Sequence, residues 1–232
     1  MNAKKAGGLA LCLLSCAAAS QAALAQSAGA VVHLSGTLSV QRPDGATLVL
    51  GPKSEVKAGD VLTTQRDSYA QINFTDGSSL TLRPYTQMKV DGYNYASDKP
   101  AEDNALFSLL KGGLRLVTGL VGKRGNQDAY RVGTATATIG IRGSIGSVMN
   151  CVGGTGCAGV APGGEQLPAG THVQSDSGSF VMQTGAQTVL IKEGTSGYSN
   201  GQAVTVTIGA IGGGAVNLSV PIGGSPVPAG CK

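Results

Sequence analysis

The run Thr134-Ala-Thr-Ala-Thr-Ile-Gly-Ile-Arg-Gly-Ser144, continued at once by the apolar stretch 145–149, constrains this 232-residue chain most. β-Branched side chains at alternating positions need a pleated surface with one face buried. Gly140 and Gly143 flank Arg142, and strand glycines allow close backbone approach where a side chain would collide. Apolar and polar residues alternate in the same way in Gln71-Ile-Asn-Phe74, Ser79-Leu-Thr-Leu82, Met88-Lys-Val90 and Leu114-Arg-Leu116. Strands are therefore expected nearly throughout, with Leu106-Phe-Ser-Leu-Leu110 also read as a strand.

Turn signals punctuate these strands at Asp44-Gly45, Gly59-Asp60, Asp76-Gly77 and Asp91-Gly92, with the aspartates 16, 16 and 15 residues apart. So steady an interval fits two short strands and two turns per unit. The expected class is all-β: stacked hairpins, arranged as β-solenoid-like coils or as a sandwich of short antiparallel strands. One continuous body should run from about Ala30 to Leu218, interrupted by an insertion between Asn150 and His172.

The order of short motifs is more specific than any one of them. An opening Gly29-Ala-Val31 is followed by Gly59-Asp60 with Thr64, then by Phe74-Thr-Asp-Gly-Ser78. Lys111-Gly-Gly-Leu-Arg115 and the closing Gly140-Ile-Arg-Gly-Ser144 complete the series. This succession, over residues 29–150, resembles that of FecR-like periplasmic domains. Such domains usually have Thr where this chain has Ser144, a change that keeps the hydroxyl. The resemblance singles out Asp60, Asp76, Gly77, Gly112, Arg115, Gly140, Arg142, Gly143 and Ser144 as motif residues. It implies recognition of another envelope or outer-membrane protein. In signalling members that partner is the small signalling domain of an outer-membrane transporter. Those members also carry a cytoplasmic sigma-factor-binding segment and a membrane helix. The sequence reads as lacking both, so a stand-alone, exported adaptor or surface-assembly component is expected.

Export is read from the N-terminus. Lys4 and Lys5 precede a Leu-, Ala- and Cys-rich stretch ending in Ala23-Leu-Ala25, which suits a signal peptide over 1–25 cleaved before Gln26. Lipidation at Cys16 is the less favoured alternative, leaving a periplasmic or secreted chain. Next come the FecR-like β-domain (26–150), a Gly-rich insertion (151–171), a C-terminal β-extension (172–222) and a flexible tail (223–232). Val204–Val220 is apolar but interrupted by glycines, so the mature chain is expected to hold no transmembrane segment.

Chemistry-bearing residues are sparse. With Lys4 and Lys5 removed, 15 basic residues face 13 acidic ones, too even and too scattered for a nucleic-acid partner. Two histidines are present. His33 reads as a hydrogen-bonded structural residue, and His172, Ser175 and Asp176 have triad residue types without implied geometry. Glu102 and Asp103 read as a solvated pair. No catalytic residue, cofactor or metal site is expected, and the chain reads as a non-enzyme. Cys151 and Cys157 read as a disulfide in an exported protein, with Cys231 left over and open to self-association. Arg142 is expected to be partly buried, holding loop carbonyls or a carboxylate such as Asp76. A second reading is a cell-wall or polysaccharide-binding module, which requires Tyr85, Tyr93 and Tyr95 to line one face.

Overall fold

The computed structural model describes residues 27–126, 128–153, 157, 167–185 and 187–209. Among them, fifteen strands join in one sheet. The first eight are short: β1 (Ser27–Ser35), β2 (Leu38–Gln41), β3 (Thr47–Leu50), β4 (Glu55–Lys57), β5 (Val61–Thr64), β6 (Tyr69–Phe74), β7 (Ser79–Leu82) and β8 (Gln87–Asn94). A single 3-10 turn, Pro100–Glu102, precedes β9 (Asn104–Val117) and β10 (Tyr130–Gly133). Then follow β11 (Thr138–Cys151), β12 (Gly170–Gln183), β13 (Thr188–Lys192), β14 (Thr195–Ser199) and β15 (Val204–Ile208).

Three strands of 14 residues each, β9, β11 and β12, organise the rest. Each pairs with one set of neighbours along its first half and another along its second. The sheet thereby folds over into two layers. The first runs β3-β2-β5-β8-β9-β10-β11-β12-β13, and the second β4-β1-β6-β7-β9-β11-β12-β14-β15. Pairing is antiparallel except between β9 and β10. Of the two arrangements left open by the sequence, the sandwich is the one formed.

Alternation places one side of each layer in a shared core. Val90, Phe107, Val132, Ile139 and Met182 line the first layer, facing Ala70, Leu82, Leu114, Val148 and Val173 of the second, all buried. Phe74 of β6 meets Phe107 of β9 edge-on with ring centroids 5.2 Å apart, so the layers are in direct contact. Each fully buried Leu or Phe contributes about 1.5–3 kcal/mol relative to exposure.

The long strands bend where the backbone needs a conformation that side chains disfavour. Gly112 of β9 has φ +88, and a Cβ there would lie 2.6 Å from the Thr86 Cα. Gly143 of β11, at φ +65, occupies the register shift between Arg142 and Ile145. One turn expectation fails. Gly45, Gly59 and Gly77 have positive φ, but Gly92 lies inside β8, at a register shift in its pairing with β9. There the Asp-Gly pair makes a local irregularity instead of a reversal. β12 to β15 extend the same sheet. The expected signal peptide, Cys16, Cys231, the expected tail and most of the expected insertion lie outside the described residues. No helix among the described residues is long and apolar enough to cross a membrane.

Candidate functional site

Most motif residues hold the chain together at points where the ladder breaks. At the bend of β11, Ser144 is buried. Its hydroxyl donates to the Ser179 carbonyl at 2.5 Å and accepts from the Ser179 N–H at 2.9 Å. One side chain thus replaces the rungs lost at the bulge. The Thr118 hydroxyl and N–H both donate to the Ser144 carbonyl, each at 3.1 Å, fastening the loop after β9 to the same point.

Asp76 forms a second knot. The Ser78 N–H and hydroxyl and the Tyr93 phenol donate to its Oδ1 at 3.0, 2.6 and 3.0 Å, and the Val121 N–H donates to Oδ2 at 3.2 Å. Burial pushes the Tyr93 phenol up, so it remains a protonated donor. Gly77, at φ +82, closes the turn between β6 and β7. Asp60 is the third knot: buried, it accepts from the Lys57 N–H at 2.7 Å and pairs with Arg42, clamping the β2–β3 hairpin to the turn before β5. Arg115 pairs with Asp176 across β9 and β12, and Gln174 donates to the same carboxylate at 2.9 Å. Cys151 and Cys157 form a disulfide with Cα atoms 4.7 Å apart.

A fourth knot has no counterpart among the motifs. Asp103 is buried, and the Arg124 guanidinium donates to both its oxygens at 3.0 and 3.4 Å while lying 4.8 Å from the Tyr95 ring centroid. Glu102 is solvated as expected, but Asp103 is not. Its pairing with a residue 21 positions away leaves no local signal in the sequence.

Two expectations about single residues are corrected. Arg142 is exposed and reaches Asp128, at 3.5 Å, instead of Asp76 or loop carbonyls. With Ile139 and Ile141 facing the core, strict alternation sends Arg142 outward. His33 is likewise exposed, on the outward side of β1, while His172 is buried. His172 Nε2 donates to the Pro168 carbonyl at 2.9 Å, the Ser175 hydroxyl donates to the Gly178 carbonyl, and Asp176 faces Arg115. The triad residue types therefore do not converge. Gly140 is a third surprise. A Cβ there would come no closer than 3.7 Å to any neighbour, whereas at Gly146 it would meet the Gln174 carbonyl at 2.1 Å.

The tyrosines do not form a platform. Tyr93 is tied to Asp76, Tyr95 packs against the core under Arg124, and Tyr85 accepts from Arg66 Nε at 2.6 Å across a different turn. A cleft of about 260 Å³ lies between Leu167, Pro168, His172, Ser196, Tyr198 and Thr207. Among the described residues, no three His, Cys, Asp or Glu side chains group to hold a metal ion.

The model of the FecR protein family matches residues 60–156. Over these residues the chain is similar to a FecR domain. The FecR segment begins at Asp60 and includes every motif residue named above except the opening Gly29-Ala-Val31 and Gly59. It spans β5 to β11, so the strands before and after it complete a sheet that the segment alone leaves open. No curated protein matches the chain. Among solved structures it is similar to two of a candidate anti-sigma factor from Parabacteroides distasonis. Both are 12% identical, with TM-scores of 0.45 and 0.46, and cover 64% of this chain and 59% of theirs. The match therefore spans 59% of the length of those relatives. A cell surface anchoring domain is 22% identical over 27% of this chain and 82% of its own, with a TM-score of 0.26.

Proposed function

We propose that this chain is an exported, non-enzymatic protein-interaction module of the cell envelope, linked to signalling or surface assembly. The similarity to a FecR domain at residues 60–156 carries the reading. The sheet supplies a means of contact. Among the described residues β3 pairs with β2 alone, and Leu48 and Val49 on it are 50% and 75% exposed. A bare apolar edge of this kind invites pairing with a strand of another chain. The Cys151–Cys157 disulfide fits an oxidising compartment. The polysaccharide reading lacks the aromatic platform that it requires.

Crosslinking followed by affinity capture with the full chain, from its native envelope, tests this proposal. A discrete envelope or outer-membrane protein is the expected product. Retention of glycan alone, with no protein above background, would overturn it.

A further inference from the structure

The outer face of the first layer has features that the fold does not need. Register aligns Leu106, Arg131, Gly140, Val181 and Leu190 in one row across β9, β10, β11, β12 and β13. The row beside it on the opposite face, from Phe107 to Val189, packs into or against the core, so this row points away from it. Leu106 and Leu190 are 38% and 47% exposed. Between Arg131 and Val181 sits Gly140. Its φ lies outside the left-handed region and a Cβ would fit beside it, yet glycine in a strand is destabilising relative to Ala. At this position the residue lowers stability without relieving strain or crowding, and what it leaves is a notch one side chain wide.

Cations surround the notch. The Arg131 and Arg142 side chains are 48% and 41% exposed and share a single carboxylate, Asp128, at 3.9 and 3.5 Å. Exposed pairs of this length are worth little, so both guanidiniums stay available. Lys123 flanks Gly143, and Lys192 is exposed on β13 two strands from Arg142. Two further acids lie nearby: Glu193 accepts from the Gly178 N–H, and Asp91, beside Leu106, accepts from the Ser108 hydroxyl at 2.5 Å and pairs with Lys89 at 3.2 Å. Arg131, Arg142, Lys123, Lys192 and Lys89 thus face Asp128, Glu193 and Asp91, leaving an excess of positive charge on a surface that also offers exposed leucines.

We propose that this face docks an extended acidic segment of a partner protein, with carboxylates on Arg131 and Arg142 and apolar side chains over Leu106, Leu190 and the notch at Gly140. The inference rests on the protein-interaction reading and gives that partner a chemistry. Interleaved leucines favour a peptide over a polyphosphate surface, which would need unbroken positive charge. Arg suits the carboxylates because its planar fork binds them through two parallel hydrogen bonds.

The test titrates the full chain, labelled with 15N, with a 12-residue peptide alternating Glu with Leu or Val, and with its Lys counterpart. Saturable shifts at Leu106, Arg131, Gly140, Arg142 and Val181 are expected with the acidic peptide alone. Arg131→Glu with Arg142→Glu, and separately Gly140→Val, should each weaken binding at least tenfold while leaving the urea midpoint unchanged. Absence of saturable shifts on this face, or equal binding of the Lys peptide, would overturn the assignment. So would the same shifts produced by sodium phosphate or by anionic phospholipid vesicles. Envelope capture that survives the double charge reversal would sink this face yet leave the interaction module standing. A wild-type chain that captures no protein would sink the module itself.

Discussion

A buried hydroxyl and an exposed guanidinium two residues apart, Ser144 and Arg142, have opposite expected costs. Ser144→Ala leaves the Ser179 N–H and carbonyl without partners at the bend, and should lower unfolding free energy by about 1–3 kcal/mol. Arg142→Ala removes only a long surface pair and should change it by no more than about 0.5 kcal/mol. Urea unfolding monitored by circular dichroism checks both. His172 gives a pH signature. Burial holds its imidazole below the usual range, outweighing the bond to Pro168. The unfolded chain then binds the proton more readily, so stability present above about pH 6.5 is lost as pH falls. Replacing His172 with Phe should flatten that part of the urea-midpoint profile between pH 7 and 5, and an unchanged slope would refute it. At this scale residue types are legible in the sequence, but their directions are not. The expected burial of Arg142 fails because an alternating strand sends odd and even positions to opposite sides, and sequence does not say which side a bulge leaves outward.

At the scale of elements, strand content and the Gly-bearing bends follow from β-branched alternation and from turn chemistry. The pairing of β9, β11 and β12 along two halves each does not, because it rests on contacts between residues far apart in sequence. Gly140 and Gly146 show the difference. Both lie in β11 and look equivalent in the sequence, but only Gly146 is pressed against a facing carbonyl and the Phe180 ring. Gly146→Ala should therefore cost several kcal/mol, of the order of overpacking with backbone displacement, while Gly140→Ala should be neutral or slightly stabilising. Equal losses in the two variants, read from urea midpoints, would contradict this difference in packing. At the other end of β11, opening the Cys151–Cys157 link should cost about 2 kcal/mol or less, because the ring is short. Unfolding with and without reductant measures it.

For the whole molecule, buried carboxylates and hydroxyls at Asp60, Asp76, Asp103 and Ser144 lock the two layers, while the proposed function assigns contact to the outward faces and edges. The order of the motifs makes the FecR character legible from sequence, since most motif residues have a turn or a bend to serve. What sequence hides is the division among those residues: most fasten the sandwich, whereas Gly140 and Arg142 face outward. A photo-crosslinking residue placed at Leu106, at Leu190 and, as a control on the opposite layer, at Thr205 puts the contact role to the most direct test in the native envelope. Crosslinks from Leu106 and Leu190 to one envelope protein, with Thr205 silent, are predicted; folded variants that yield no protein adduct from either position would contradict the account.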